Sequence, residues 1–105
     1  MKVVVDTNIL FSFFWQGSFI KNILISPDME IFSSELALEE LNKYSSLIIN
    51  KTKTSKIKFD LELNNLKSFV KFLSENYYKN FMKTAEEISP DKDDAHFLAL
   101  CLKLN

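Results

Sequence analysis

The opening stretch of this chain, residues 2–8, constrains its fold more than any other segment. The β-branched residues Val3, Val4 and Val5 follow one another without a polar residue between them, which predicts a strand buried on both faces of a parallel sheet. Asp6 comes next, so its carboxylate should lie at the carboxyl end of that strand, where open α/β sheets bind their ligands. A simpler interpretation, in which Asp6 or Asn8 only caps the following helix, stays open on this pattern alone.

The segments that follow alternate between helix and strand signals. A helix over residues 19–25, capped by Ser18, and a strand over 29–32 complete a right-handed βαβ unit with the first strand. We therefore expect an α/β fold in which residues 1–5 form the central strand of a parallel sheet, with 29–32 beside it. Further helices are predicted over 35–47, 59–75, 78–88 and 95–103, with a loop over 50–58 and a very short strand or turn over 76–78.

Length and composition limit the classes of protein that fit. A chain of 105 residues with one glycine and two prolines predicts a single domain, residues 1–105, that is neither loop-rich nor all-β. One cysteine excludes an internal disulfide framework and fits a reducing, cytoplasmic location. No apolar run approaches the roughly 20 residues that span a membrane, so we expect no membrane partner. The net charge of −1 does not by itself point to nucleic acid.

Three acidic residues occupy junctions between predicted elements. Asp6 ends the first strand, Glu40 lies about one turn into the helix after the second strand, and Asp94 opens the last helix. In a parallel sheet these positions face one crevice, so we expect the three carboxylates to lie close together. A hard divalent cation, Mg²⁺ or Mn²⁺, would relieve their repulsion because it prefers oxygen ligands.

Helical geometry separates Glu40 from its neighbour Glu39. The two side chains point about 100° apart on a helix. Glu39 has an i,i+4 partner in Lys43, which predicts an ion pair on the exposed face. Glu40 shares its face with apolar residues and is therefore the inward candidate.

The acidic run before the last helix offers several carboxylates. Asp94 shares a stripe with Leu98 and Cys101, so it should sit at the top of an apolar face, and Asp91 can join it as a metal ligand. Asp93 lies on a neighbouring stripe and is the weaker candidate. All of these acids can instead serve only to complement the helix dipole.

Three motifs in this order resemble the PIN domain, a family of metal-dependent ribonucleases that includes VapC-type toxins. They are the strand that ends in Asp6-Thr7-Asn8, the Ser34…Glu40-Leu41 helix, and the segment Asp91-Lys92-Asp93-Asp94-Ala95-His96-Phe97-Leu98-Ala99-Leu100. The resemblance implies a PIN-like, Rossmann-like three-layer fold. It also implies a Mg²⁺- or Mn²⁺-dependent endoribonuclease that hydrolyses RNA, with an antitoxin protein as a partner.

The resemblance also assigns roles to individual residues. The family's first, second and third acids fall on Asp6, Glu40 and Asp94, and its polar helper falls on Thr7 or Asn8. Metals held by these carboxylates would lower the pKa of a bound water and stabilise displacement at phosphorus. No nucleophilic side chain is needed.

The sequence departs from the family pattern after the last helix. PIN domains normally continue with a strand that ends in a fourth acid, whereas this sequence stops at Asn105. We therefore expect a C-terminally truncated domain whose sheet has an open edge, and hence a homodimer or higher oligomer. The alternative function is a catalytically impaired PIN-like module that binds protein or RNA.

Some other features have two interpretations each. We expect His96 to be exposed or at a helix edge rather than a ligand or acid–base group, and Cys101 to be a small buried hydrophobe. The aromatic residues within 11–15 fit a core or subunit interface better than RNA stacking. The lysine-rich segment 50–58 fits a solvated loop better than an RNA contact. A phosphoryl-transfer domain with Asp6 as nucleophile is disfavoured because Asn8 stands where a second acid would be required.

Overall fold

A three-stranded parallel sheet forms the centre of the computed structural model, which describes residues 1–15 and 19–105. The strands β1 (Lys2–Val4), β2 (Glu30–Ser34) and β3 (Val70–Leu73) lie in the order β1-β2-β3. Ile31 stands opposite both Val3 and Val70, and the backbone N–H of Val5 donates to the Phe32 carbonyl across 2.9 Å. The predicted α/β class and the parallel pairing of the first two strands are confirmed.

Helices cover both faces of this sheet. The first one follows β1 within three residues, and the predicted helix over 19–25 matches the second, although its proposed cap Ser18 lies outside the described residues. The helices are α1 (Thr7–Ser12), α2 (Phe19–Leu24), α3 (Glu35–Lys43), α4 (Ser45–Thr52), α5 (Lys56–Phe69), α6 (Glu75–Tyr78), α7 (Met82–Ile88) and α8 (Ala95–Leu104), with 3₁₀ turns at Lys79–Phe81 and Lys92–Asp94.

Alternation along the strands divides the core into two layers. Ile31 and Val70 join the apolar cluster under α1 to α5, whereas their neighbour Phe32 joins the cluster under α6 to α8. Successive strand side chains point to opposite faces, so a strand with apolar residues at consecutive positions is buried on both. The result is the three-layer arrangement that the sequence predicts.

The predicted strand order is wrong in one respect, because β1 lies at the edge of the described sheet and β2 at its centre. The cause is β3, which lies inside the predicted helix over 59–75. Leu63, Leu66, Val70 and Leu73 follow a helical period, but α5 ends at Phe69 and Val70 adopts extended dihedrals of φ −115° and ψ 128°. Pairing of Val70 with β2 therefore overrides the local periodicity.

Other predicted boundaries shift for local reasons. The predicted helix over 35–47 breaks at Tyr44, whose dihedrals of φ −99° and ψ 16° are not helical. Much of the predicted loop over 50–58 is helical, and the break between α4 and α5 falls at Lys53, which has a left-handed φ of 53°. Residues 76–78, predicted as a strand or turn, belong to α6.

The outer edge of β1 has no paired strand within the described segments. An apolar groove of about 570 Å³ runs along it and is lined in part by Val3, Leu24 and Leu98. Cys101, which also lines this groove, is exposed, so the expectation of a buried cysteine is wrong. Across residues 1–15 and 19–105, none of the helices combines the length and the apolar character needed to cross a bilayer.

Candidate active site

An open cleft of about 700 Å³ lies at the carboxyl ends of β1 and β2. Five carboxylates line it: Asp6 after β1, Glu39 and Glu40 on α3, and Asp93 and Asp94 before α8. Within the described part of the chain, the cationic side chains that line the cleft are Lys43 and Lys92. The three acids that the sequence singles out, Asp6, Glu40 and Asp94, therefore border the same cavity.

Asp6 has both of the roles that the sequence left open. Its extended backbone, with φ −88° and ψ 176°, ends the strand, and its Oδ1 accepts a hydrogen bond from the Ile9 N–H across 3.0 Å as the N-cap of α1. The same side chain lines the cleft. A capping bond to one carboxylate oxygen fixes the rotamer, so the side chain is held in place before any ligand arrives.

Thr7 and Asn8, the two candidates for the polar helper, line the cleft, and the hydrogen bond to Asp6 comes from the Ile9 N–H. Thr7 is only 7% exposed, and its Oγ1 is buried without a hydrogen-bond partner among the described residues. A buried hydroxyl without a partner costs about 1–3 kcal/mol. An unpaired oxygen at the wall of an acidic cleft is therefore a structural sign of a missing polar partner.

Glu40 is half-buried and Glu39 is exposed, as the sequence predicts, but the predicted partner of Glu39 is wrong. No ion pair joins Glu39 to Lys43 in the described structure. The Lys43 Nζ instead lies 5.5 Å from the centre of the Tyr44 ring, a cation–π contact. Because the cleft is wide, both glutamates of α3 border it.

Of the acids before α8, Asp93 and Asp94 line the cleft, whereas Asp91 does not. The Asp91 Oδ1 accepts the Asp93 N–H across 2.9 Å and so caps the short 3₁₀ turn Lys92–Asp94. Asp93, the weaker candidate by helical spacing, lines the cleft because this 3₁₀ turn, rather than an α-helix, sets its direction.

The expectation that His96 is exposed or at a helix edge is wrong. It is 5% exposed, lines the cleft, and shares a 2.7 Å hydrogen bond between its Nδ1 and the Oγ of the fully buried Ser34. Ser34 Oγ also accepts the Ala37 N–H across 3.1 Å as the N-cap of α3. One hydroxyl thus joins β2, α3 and α8. A polar residue inside the Ala- and Leu-rich stretch of α8 is the signal that could have indicated burial with a partner.

One hydrogen bond holds Ser34 and His96 together, and its direction depends on the imidazole tautomer. The Ser34 oxygen receives the Ala37 N–H, and its hydroxyl can either donate to His96 Nδ1 or accept from it. Burial lowers the pKa of His96 below its usual 6.5, although Glu40 and Asp94 oppose that shift. The group is therefore a neutral imidazole beside a negatively charged cleft.

We expect the free energy of unfolding to decrease as the pH falls below about 6.5, because unfolded His96 takes up a proton that the folded imidazole does not. The loss should stop at the lower pKa of the folded state, and the contribution should be constant above about pH 7.5. The chain has one histidine, so NMR titration of its ring signals gives the folded pKa directly.

His96→Asn is the matched control for this pH dependence, since its amide oxygen can still accept the Ser34 hydroxyl but does not titrate. Denaturant unfolding at a series of pH values should show a smaller decrease for the variant below pH 6.5. Equal pH profiles for the two proteins would show that His96 does not cause the effect.

The oxygen atoms that line the cleft suit a divalent cation that keeps several of its waters better than a cation held by protein ligands alone. Within the described residues, no group of three or more His, Cys, Asp or Glu side chains is close enough to hold a metal ion. Mg²⁺, however, keeps several waters and is commonly bound by one or two carboxylates together with substrate phosphates. Carboxylate oxygens and the unpaired Thr7 hydroxyl suit such an ion and its waters.

Comparison with known proteins gives one match. A family model described as "PIN domain" matches residues 4–105. This range includes Asp6, Glu40 and Asp94 and nearly the whole chain. Searches of curated proteins and of solved structures gave no match.

Proposed function

This chain belongs to the PIN domain family, and from that we propose that it is a metal-dependent endoribonuclease that uses Mg²⁺ or Mn²⁺ to hydrolyse RNA. Nuclease activity and the use of divalent metals are general properties of that family. The finer proposal, RNA as the substrate and these two ions as the cofactor, is supported by the chemistry of the cleft.

One observation carries the proposal: acids from three distant segments of the chain line a single cleft at the carboxyl end of the sheet. Carboxylates that border one cleft repel one another, so this arrangement is unfavourable without a cation. A bound divalent cation would replace the repulsion with attraction and would also attract a phosphate. The unpaired Thr7 hydroxyl in the same wall supports this interpretation.

The residues of the cleft would have different roles in binding and hydrolysis. Asp6, Glu40 and Asp94 would hold the cation, which when bound supplies a water of lowered pKa and charge stabilisation at phosphorus. The Ile9 N–H keeps Asp6 in one rotamer, so little order has to be created on binding. Thr7 and neutral His96, which also line the cleft, would hydrogen-bond waters or phosphate oxygens there.

Two further parts of the proposal concern partners. The apolar groove along the edge of β1 is a surface to which a second copy of the chain or an antitoxin protein would bind, since an unpaired strand edge invites another strand. An inactive PIN-like module that binds RNA or protein is the second candidate function. The observation in its favour is that no three ligands converge in the described structure.

The test is cleavage of a labelled single-stranded oligoribonucleotide with Mn²⁺, with Mg²⁺ and with EDTA. We expect cleavage with either ion and none with EDTA. Thr7→Val removes the unpaired hydroxyl at equal shape, so it should leave the free energy of unfolding unchanged or slightly higher while it reduces cleavage about 10-fold or more.

Two outcomes would contradict the proposal. Cleavage that persists in EDTA would exclude the metal, and absence of cleavage at any concentration of either ion would leave the binding module as the function. Loss of stability in Thr7→Val would show that the hydroxyl has a structural partner, and would remove Thr7 from the proposed site.

A further inference from the structure

A second polar cavity, of about 440 Å³, lies between the segment after α1 and the junction of α4 with α5. It is lined by three lysines, Lys21, Lys51 and Lys58, together with Trp15 and Glu62. These residues are far apart in the sequence, and the fold brings the aromatic segment 11–15 against the lysine-rich segment 50–58. Taken separately, the first segment fits a core or subunit interface better than RNA stacking, and the second fits a solvated loop better than an RNA contact.

The charge of this cavity is positive after its internal pairing is taken into account. Lys21 Nζ lies 3.2 Å from Glu62, so these two charges neutralise each other. Within the described residues, Lys51 and Lys58 take part in no ion pair. Two ammonium groups are therefore free to bind an anion.

The floor of the cavity is aromatic and rigid. Phe14 and Phe59 both line it and stack on each other with centroids 5.0 Å apart and an angle of 20° between the rings. Both are buried, whereas Trp15 beside them is 41% exposed. An exposed indole that shares a cavity with a buried aromatic pair and with unpaired lysines is a combination typical of surfaces on which nucleobases stack.

A line of aromatic rings connects this cavity to the acidic cleft. Tyr44 lines the cleft, is 39% exposed, and meets the edge of Phe11 with ring centroids 6.2 Å apart. Phe11 in turn shares a shallow cavity of about 390 Å³ with Trp15. Tyr44, Phe11 and Trp15 therefore follow one another from the candidate active site to the cavity of Lys51 and Lys58.

We propose that this path binds single-stranded RNA: the strand leaves the acidic cleft over Tyr44 and Phe11, an unpaired base stacks on Trp15, and phosphates contact Lys51 and Lys58. This assignment rests on the proposed ribonuclease function and specifies its substrate as an unpaired strand. Aromatic faces stack on bases of any sequence, so the site gives affinity without sequence preference. The bases of a duplex are stacked on each other and cannot reach Trp15.

Trp15 is the single tryptophan of the chain, so its fluorescence reports on this site alone. We expect a 12-nucleotide oligouridylate, added in EDTA so that no cleavage occurs, to quench the emission in a saturable way. A duplex of equal length should quench it far less. Trp15→Ala should weaken binding of the labelled oligonucleotide, measured by anisotropy, by about 5- to 100-fold.

The lysines are tested by the salt dependence of binding. Lys51→Gln combined with Lys58→Gln should reduce the slope of log K against log salt concentration by about 1.4, since each phosphate contact on a single strand contributes about 0.7. Lys67→Gln removes one lysine charge from an exposed position outside this cavity and should leave the slope unchanged.

The outcomes separate this inference from the proposed function. Quenching without cleavage in Mn²⁺ would uphold the RNA site and reject the nuclease. Cleavage without quenching would reject the RNA site and uphold the nuclease. Unchanged emission in the presence of RNA would overturn the inference, as would an equal loss of slope in Lys67→Gln.

Discussion

Asp6→Asn should abolish the binding of Mn²⁺ and lower RNA cleavage by at least about 100-fold, the scale of losing one electrostatic stabiliser of a transition state. Asp6 is the acid that ends β1 at the cleft. The fold should survive the change, because asparagine is as good an N-cap as aspartate and can still accept the Ile9 N–H. With one of five carboxylates removed, the free energy of unfolding without metal should be unchanged or higher.

Calorimetry with Mn²⁺ and the cleavage assay check this prediction together. Glu39→Gln and Asp93→Asn border the same cleft and should reduce both quantities less than Asp6→Asn does. Asp60→Asn is the control outside the cleft, since Asp60 only pairs with Lys56 on the surface of α5. Equal heats of Mn²⁺ binding for the wild type and Asp6→Asn would contradict the assignment of Asp6 as a ligand.

Ser34→Ala should lower the free energy of unfolding by about 2–4 kcal/mol. About 1 kcal/mol comes from loss of the N-cap of α3, and the rest from leaving His96 Nδ1 buried without its hydrogen-bond partner. The side chain is fully buried, so water cannot replace the hydroxyl at low cost.

Ser33→Ala is the matched control for Ser34→Ala. Ser33 is also fully buried and its hydroxyl donates to the Val5 carbonyl across 2.9 Å, but it caps no helix and does not contact His96. We expect it to cost less, and to leave the NMR titration of His96 unchanged where Ser34→Ala shifts it. Equal losses of stability, with no shift of the His96 pKa in Ser34→Ala, would show that the Ser34–His96 bond contributes little.

Sequence patterns predicted the parts of this molecule that depend on local chemistry. The valines before Asp6 predicted a doubly buried strand, and the acids at element junctions predicted which residues border the cleft. Both inferences use rules that hold whatever the rest of the chain does, namely alternation along a strand and the position of ligands in parallel sheets.

The parts that were not predicted depend on contacts between distant segments. Val70 follows a helical period and becomes a strand because β2 offers it hydrogen bonds. The apolar surroundings of His96 along α8 are compatible with burial, but only the approach of Ser34, 62 residues earlier, gives its ring a partner. Asp93 rather than Asp91 lines the cleft because of a single 3₁₀ turn, and spacing rules for α-helices do not predict such a turn.

The bond between Ser34 and His96 also determines when the cleft is completed during synthesis of the chain. The Ser33–Val5 bond between the first two strands closes a loop of 28 residues, whereas the Ser34–His96 bond closes one of 62. The longer loop costs only roughly 0.7 kcal/mol more in chain entropy, so thermodynamics hardly distinguishes the two closures. Translation does distinguish the two closures, because residues leave the ribosome in order from the N-terminus. A nascent chain can therefore fold Asp6 and Glu40 onto the sheet well before Asp94 arrives, and the acidic cleft is completed only after α8 has been added.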